Sequence, residues 1–210
     1  FILIKMDNSL FFSNDQTQAA RYFNAQILNY AEKIYSSEGR YYHNFDHISE
    51  MIWVGKRTFQ LTYKQYIAII FHDIVYDPKS NINEELSAKQ VFDVIQNFRG
   101  RMDYEELRYF GDVATIIRDT KSHYYPTTPE SAVVLDLDLE RLARPLDYVE
   151  NYGKLIRMEY AHVDDETFNA GRKEFFKQFL NVEHPFSTPY GRKFWEPKAL
   201  ENVNALLSKM

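Results

Sequence analysis

Tyr41-Tyr42-His43-Asn44-Phe45-Asp46-His47-Ile48, read together with Phe71-His72-Asp73-Ile74, is the part of this chain from which the rest can be reasoned. His43 and His47 stand four residues apart, a spacing that on a helix stacks both imidazoles on one face. About one helix later an adjacent His72-Asp73 pair interrupts an apolar run. Neutral imidazole and ionised carboxylate are ligands that divalent transition metals take. A lone histidine is more often a packed or hydrogen-bonded ring. Several such groups in two short clusters with apolar flanks point instead to a metal ion.

Around these clusters apolar residues recur at helical spacing. Phe23, Ile27, Tyr30, Ala31 and Ile34 predict a first amphipathic helix that ends near Gly39. Ile48, Met51, Ile52 and Gly55 line a second. Tyr63, Ile67, Ile70, Phe71 and Ile74 predict a third, which stops before Asp77-Pro78 and carries His72 and Asp73 in its last turns. Asn81 or Asn83 is the candidate cap of a fourth helix, and Asp103-x-x-Glu106 has the form of a capping box for a fifth. Thr128-Pro129 opens a sixth as a cap followed by proline at the first helical position. Pro145 starts a seventh, Asp164-Asp165 caps an eighth, and a last helix begins near Pro197 after breaks at Pro185 and Pro189. The expected fold class is all-α: a compact bundle of about eight or nine helices, one domain over residues 1–210, with residues 1–13 peripheral.

Composition narrows the function. Of 210 residues 45% are apolar, enough for a sizeable core, and Gly and Pro number only seven each, against an all-β or disordered chain. Cysteine is absent, which excludes disulfides, thiolate metal sites and a cysteine nucleophile. A net charge of −5 gives no reason to expect a nucleic-acid duplex or a membrane surface as partner. Phe1-Ile2-Leu3-Ile4 is apolar but far too short to span a bilayer, and it lacks the basic start of a signal peptide. The expected setting is therefore soluble and cytoplasmic. No phosphate-cradling loop, dinucleotide fingerprint or serine nucleophile elbow is present.

A further acidic ligand is sought in Leu135-Asp136-Leu137-Asp138-Leu139-Glu140, on the predicted sixth helix. Leu135, Leu139 and Leu142 share one apolar face and Asp138 falls within it. Asp136, two steps away, points roughly the other way. An acid inside an apolar stripe needs a counter-charge, because an unpaired buried charge is very costly. Asp138 is the preferred ligand and Asp136 the alternative.

The order His, His-Asp, Asp on a helical chain resembles the HD-domain metal-dependent phosphohydrolase superfamily. The closer likeness is to its branch of predicted HD phosphohydrolases. It rests on Arg40-Tyr41-Tyr42-His43-Asn44-x-x-His47-Ile48, Phe71-His72-Asp73-x-Val75-Tyr76-Asp77, Asn83-Glu84-x-x-Ser87-Ala88, Thr120-x-x-His123, Asp136-x-Asp138-Leu139 and Ile156-Arg157-x-Glu159-Tyr160. The resemblance implies His47, His72, Asp73 and Asp138 as metal ligands. The first motif also resembles that of the helical cyclic-nucleotide phosphodiesterases, which implies His43 as the acid that protonates the leaving oxygen. The reverse assignment, His43 on metal and His47 packed, stays open. One departure is that leucine, not a small residue, precedes both Asp136 and Asp138, so the motif does not choose between them.

The implied chemistry is hydrolysis of a small phosphorylated substrate, expected to be a nucleotide, with a divalent ion (Mn, Co, Ni, Zn or Mg) as cofactor. Asp73 could bridge to a second ion. Glu84 is the candidate for a catalytic base or a supporting acid. Arg40, His123 and Arg157 are the candidate substrate-binding residues, with Lys121 and Arg118 near His123. Two rival readings stand beside this one. One is a catalytically silent HD-like module that binds a nucleotide or protein partner, and the other is a di-iron HD oxygenase.

Overall fold

The computed structural model describes residues 18–210, so the expected peripheral segment 1–13 lies outside the described residues. The described residues form ten α-helices and one 3-10 turn, with no strand among them. The elements are α1 (Gln18–Tyr35), α2 (Phe45–Thr58), α3 (Tyr63–Phe71), α4 (Asn83–Arg99), α5 (Tyr104–Asp119), α6 (Pro129–Leu139), the 3-10 turn Glu140–Ala143, α7 (Leu146–Glu159), α8 (Asp165–Asn181), α9 (Pro189–Phe194) and α10 (Glu196–Ser208). The fold is the all-α bundle expected, with one helix more because the Pro185–Pro189 break is followed by the short α9. No described helix is long and apolar enough to cross a membrane.

The bundle is built around α3. Ile67, Ala68, Ile69, Ile70 and Phe71 are fully buried, so the second half of this helix is apolar on every side, and the helix is enclosed by α1, α2, α4, α5 and α6. Burial of one Ile or Phe side chain contributes about 1.5–3 kcal/mol. This apolar run therefore anchors the residues just beyond its end.

Those residues are His72 and Asp73, and here the structure corrects the predicted boundary. The helix ends at Phe71 rather than Ile74, with His72 as its C-cap and Asp73 beyond it. Side chains from elsewhere take the carbonyls that a longer helix would use. The Tyr35 hydroxyl donates to Ile70 O at 3.0 Å, and the Arg40 guanidinium donates to Asp73 O at 2.7 Å and Ile74 O at 2.9 Å. Beyond this cap, Ser87 Oγ bonds both backbone groups of Val75, and the Asn83 amide bonds both of Asp77. Asn83 is thus the first residue of α4 and a clamp on the loop, while Ile82 holds the cap position without a side-chain bond.

A second correction concerns His43. Asn44 is the N-cap of α2, extended in backbone, and its side chain accepts the N–H groups of Asp46 and His47. His43 therefore precedes the helix, and its spacing from His47 is not a helical face. The two rings stand 6.4 Å apart and nearly perpendicular. The caps at Asp103, Thr128 and Asp164 form as expected.

Helix α6 encloses both of its acids, because Val134, Leu135, Leu137 and Leu139 are buried around it. Asp136, fully buried, accepts Ser187 N–H at 2.6 Å, Thr188 N–H at 2.9 Å and Thr188 Oγ1–H at 2.6 Å, fastening the start of α9 to α6. A Cβ on Gly191 would collide with Asp136 Oδ2 and come within 3.0 Å of Phe186 Cδ1. Asp136→Ala strands two backbone N–H groups and is expected to cost about 3 kcal/mol or more. Gly191→Ala is expected to cost about 1–3 kcal/mol by overpacking. Urea unfolding checks both, and an unchanged midpoint in either contradicts the clamp.

Candidate metal centre

Four parts of the chain meet where α3 ends. His47, from the first turn of α2, is fully buried and sets Nε2 3.0 Å from Asp138 Oδ1. His72 donates from Nδ1 to Ile69 O at 2.9 Å, which fixes the tautomer and turns Nε2 towards Asp73 Oδ2 at 3.0 Å and Asp138 Oδ1 at 3.8 Å. Asp138 comes from the end of α6. His123 comes from the loop after α5, where a left-handed backbone (φ 58°) brings its Nδ1 within 3.2 Å of Asp138 Oδ2.

Ligand atoms of His47, His72 and Asp73 all lie within 4.8 Å of one another, so this group could hold a metal ion. Asp138 and His123 adjoin it. The fit rests on the donors themselves. His72 Nε2 and His123 Nδ1 are buried nitrogens without a well-aligned hydrogen-bond partner, beside two carboxylates whose side chains are only 16% and 12% exposed, and His47, whose Nε2 faces Asp138, leaves its Nδ1 unpartnered. Orphaned buried nitrogens next to acids are the donor set of a cation site.

The electrostatics agree. Burial and the Arg141 charge pull the pKa of His47 down to about 4, so this imidazole is neutral with a lone pair to offer. Burial pushes His72 down too, but the charge and hydrogen bond of Asp73, with the Asp138 charge and the bond to Ile69, together outweigh it and raise His72 to about 9. Burial raises Asp138, yet the close imidazoles of His123 and His47 and the His72 charge prevail and hold it well below the carboxylate range. Asp73 is lowered in the same way, by His72 against burial.

His43 faces the cavity from the other side. Its Nδ1 lies 2.6 Å from Glu159 Oε2, and its ring stacks on Tyr76 with centroids 4.1 Å apart. Glu159 Oε1 accepts the backbone N–H groups of Tyr41, Tyr42 and His43, and Tyr76 donates its hydroxyl to Oε2 at 3.0 Å. Burial pushes the Glu159 carboxyl up, and the bond to His43 with these backbone donors brings it below its ordinary value. Glu159 is therefore an anionic support that orients His43 and leaves Nε2 for a substrate.

Between these groups lies a cavity of about 300 Å³, lined also by Glu84, Tyr42, Arg141 and Arg172. The structure brings His43, His72, Asp73, Glu84, His123 and Asp138 to this cavity, with His47 buried behind it. It does not bring Arg40 or Arg157. Arg40 is occupied by the carbonyls of His43, Asp73 and Ile74. Arg157 binds Asp165 and the carbonyls of Tyr160 and Val163, joining the end of α7 to α8. Both expected substrate arginines are thus structural, as are Arg118 on Glu85 and Lys121 on Asn81 O. Sequence reasoning assigns no role to Glu159 or Arg172, and it reads Tyr76 only as one of several tyrosines that could stack on a base. Glu159 did leave a trace: an acid in the last turn of a helix opposes the macrodipole and wants a separate reason to be there.

Comparison with family models, with curated proteins and with solved structures finds no match to this chain.

The raised pKa of His72 has a consequence for the metal-free protein. The stabilisation is complete below the unfolded value of 6.5 and is lost as pH rises through about 9. In chelator the melting temperature is therefore expected to fall across that window. Saturating Zn²⁺, which replaces the proton at the cluster, is expected to flatten the fall. A melting temperature in chelator that does not change over this window contradicts the assignment.

Proposed function

We propose that the chain is a metal-dependent phosphohydrolase of the HD-domain type acting on a small phosphorylated substrate, with a nucleotide as the favoured class. The observation that carries the reading is the meeting of two devices in one cavity. One is a cluster of neutral imidazole, orphaned nitrogen and carboxylate, and the other is a histidine braced by a buried glutamate. Hydrolysis of a phosphoester needs a nucleophilic water, charge neutralisation on phosphorus and a proton for the leaving oxygen.

His47, His72, Asp73 and Asp138 would hold a divalent ion, which when bound acidifies water and neutralises phosphoryl oxygen charge. His43 holds its Nδ1 proton towards Glu159 and carries a second proton on Nε2 when charged. As the new P–O bond forms and the ester P–O bond breaks, that Nε2 proton passes to the leaving oxygen. Glu159 keeps the ring aimed. Glu84, in the first turn of α4 and on the cavity wall, stands as the acid nearest to a role in handling the incoming water.

One rival has an observation on its side. His123 reaching Asp138 supplies an extra nitrogen of the kind a di-iron oxygenase uses. Two bound irons per chain would favour it.

The test is release of phosphate or pyrophosphate from a panel of nucleotides and generic phosphoesters with Mn, Co, Ni, Mg or chelator. Metal-dependent release is expected in wild type and absent from Asp73→Ala. His43→Ala is expected to retain metal and lose about 10²-fold or more in rate. Silence across the panel with metal bound sinks the hydrolase reading, and loss of metal from His43→Ala reverses the roles of His43 and His47.

A further inference from the structure

Arg172 is a cation that the proposed hydrolysis leaves unused. It stands on α8 and lines the cavity, with its guanidinium over the rings of Phe175 at 5.1 Å and Phe176 at 4.6 Å. These rings come three and four residues later in the chain, so they hold the planar group by its face and leave the edge N–H donors open. Among the described residues no carboxylate pairs with it. Arg141, on the same cavity, is by contrast neutralised by Glu50 at 2.7 Å.

Burial pushes the Arg172 pKa down, and the ionisable groups that bear on it are the phenols of Tyr42, Tyr160 and Tyr124. Neither Asp73 nor Asp138 is among them. A guanidinium placed to share one phosphoryl group with those two acids would feel both strongly across a protein interior. Its counter-charge has to come from a different part of the ligand. A half-buried cation without a counter-charge is only partly solvated, and its planar N–H donors held by stacking suit an oxyanion. The cavity, at about 300 Å³, is at the small end for ligand clefts.

We propose that Arg172 docks a second oxyanion of the substrate: the occupant is a small phosphoester with a further phosphate or carboxylate, one group at the His/Asp cluster and the other on the guanidinium. This rests on the phosphohydrolase reading for the first group only, since the unpaired guanidinium of Arg172 on the cavity wall stands without it.

The test is phenylglyoxal labelling of the wild-type chain in chelator, read by mass spectrometry with and without millimolar inorganic phosphate or malonate. Arg172 is expected to be labelled and to be protected several-fold, with the exposed Arg57 as an unprotected control. Protection by phosphate alone assigns a second phosphate, protection by malonate alone assigns a carboxylate, and either supports the proposal. An unreactive Arg172, or labelling that neither anion slows, overturns it. Because the assay uses neither metal nor turnover, failure of the hydrolase reading would leave protection intact, while an unprotected Arg172 would remove the second anion alone.

Discussion

Two carboxylates, Asp73 and Asp138, are enclosed near the end of the central helix, and the molecule must supply positive charge between them. Like charges in a poorly solvated interior are tolerated only when paired. Here the available groups are the imidazoles of His47, His72 and His123, each within 3.2 Å of one of the acids. Protons on the imidazoles can meet that need in part, as the raised pKa of His72 records. A divalent cation meets it more fully and also satisfies the buried nitrogens that lack partners.

The scaffold makes this pairing rigid. Each group arrives near the end of a helix or just past one, and those ends are tied by specific contacts. Asn44 caps α2 and aims His47, while Tyr35 and Arg40 close the end of α3 and fix Asp73. Asp136 locks α6 to α9, two residues before Asp138. Glu159, at the end of α7, gathers three backbone N–H groups of the segment that carries His43. The last two cases share one logic: a buried carboxylate satisfied by backbone donors sets the position of a neighbouring functional side chain.

Much of this was legible in the sequence. The helices of α1 to α8 are implied by apolar spacing and by caps whose chemistry is local, such as Asp103-Glu106 and Thr128-Pro129. The clustering of His47, His72 and Asp73 was legible because those residues interrupt apolar runs. The features that escaped depend on partners distant in the chain. The α3 boundary is set by Tyr35 and Arg40, and Asp136 is buried by Thr188. Periodicity reports which face of a helix is apolar, but α6 is buried on both faces, so its facing could rank Asp138 above Asp136 without showing what Asp136 does. Arg40 and Arg157 looked like phosphate ligands because carbonyl acceptors leave no mark in sequence. Arg172 looked ordinary because the lack of a counter-charge is visible only in three dimensions.

The central claim, that these buried acids and imidazoles form a metal centre, is tested most directly by an anomalous difference map from a crystal of the chain soaked in Zn²⁺. The account predicts a strong peak about 2.1 Å from nitrogens of His47 and His72 and from carboxylate oxygens of Asp73 and Asp138. A map with no peak among those four side chains, at a Zn²⁺ concentration that fills ordinary sites, would contradict it.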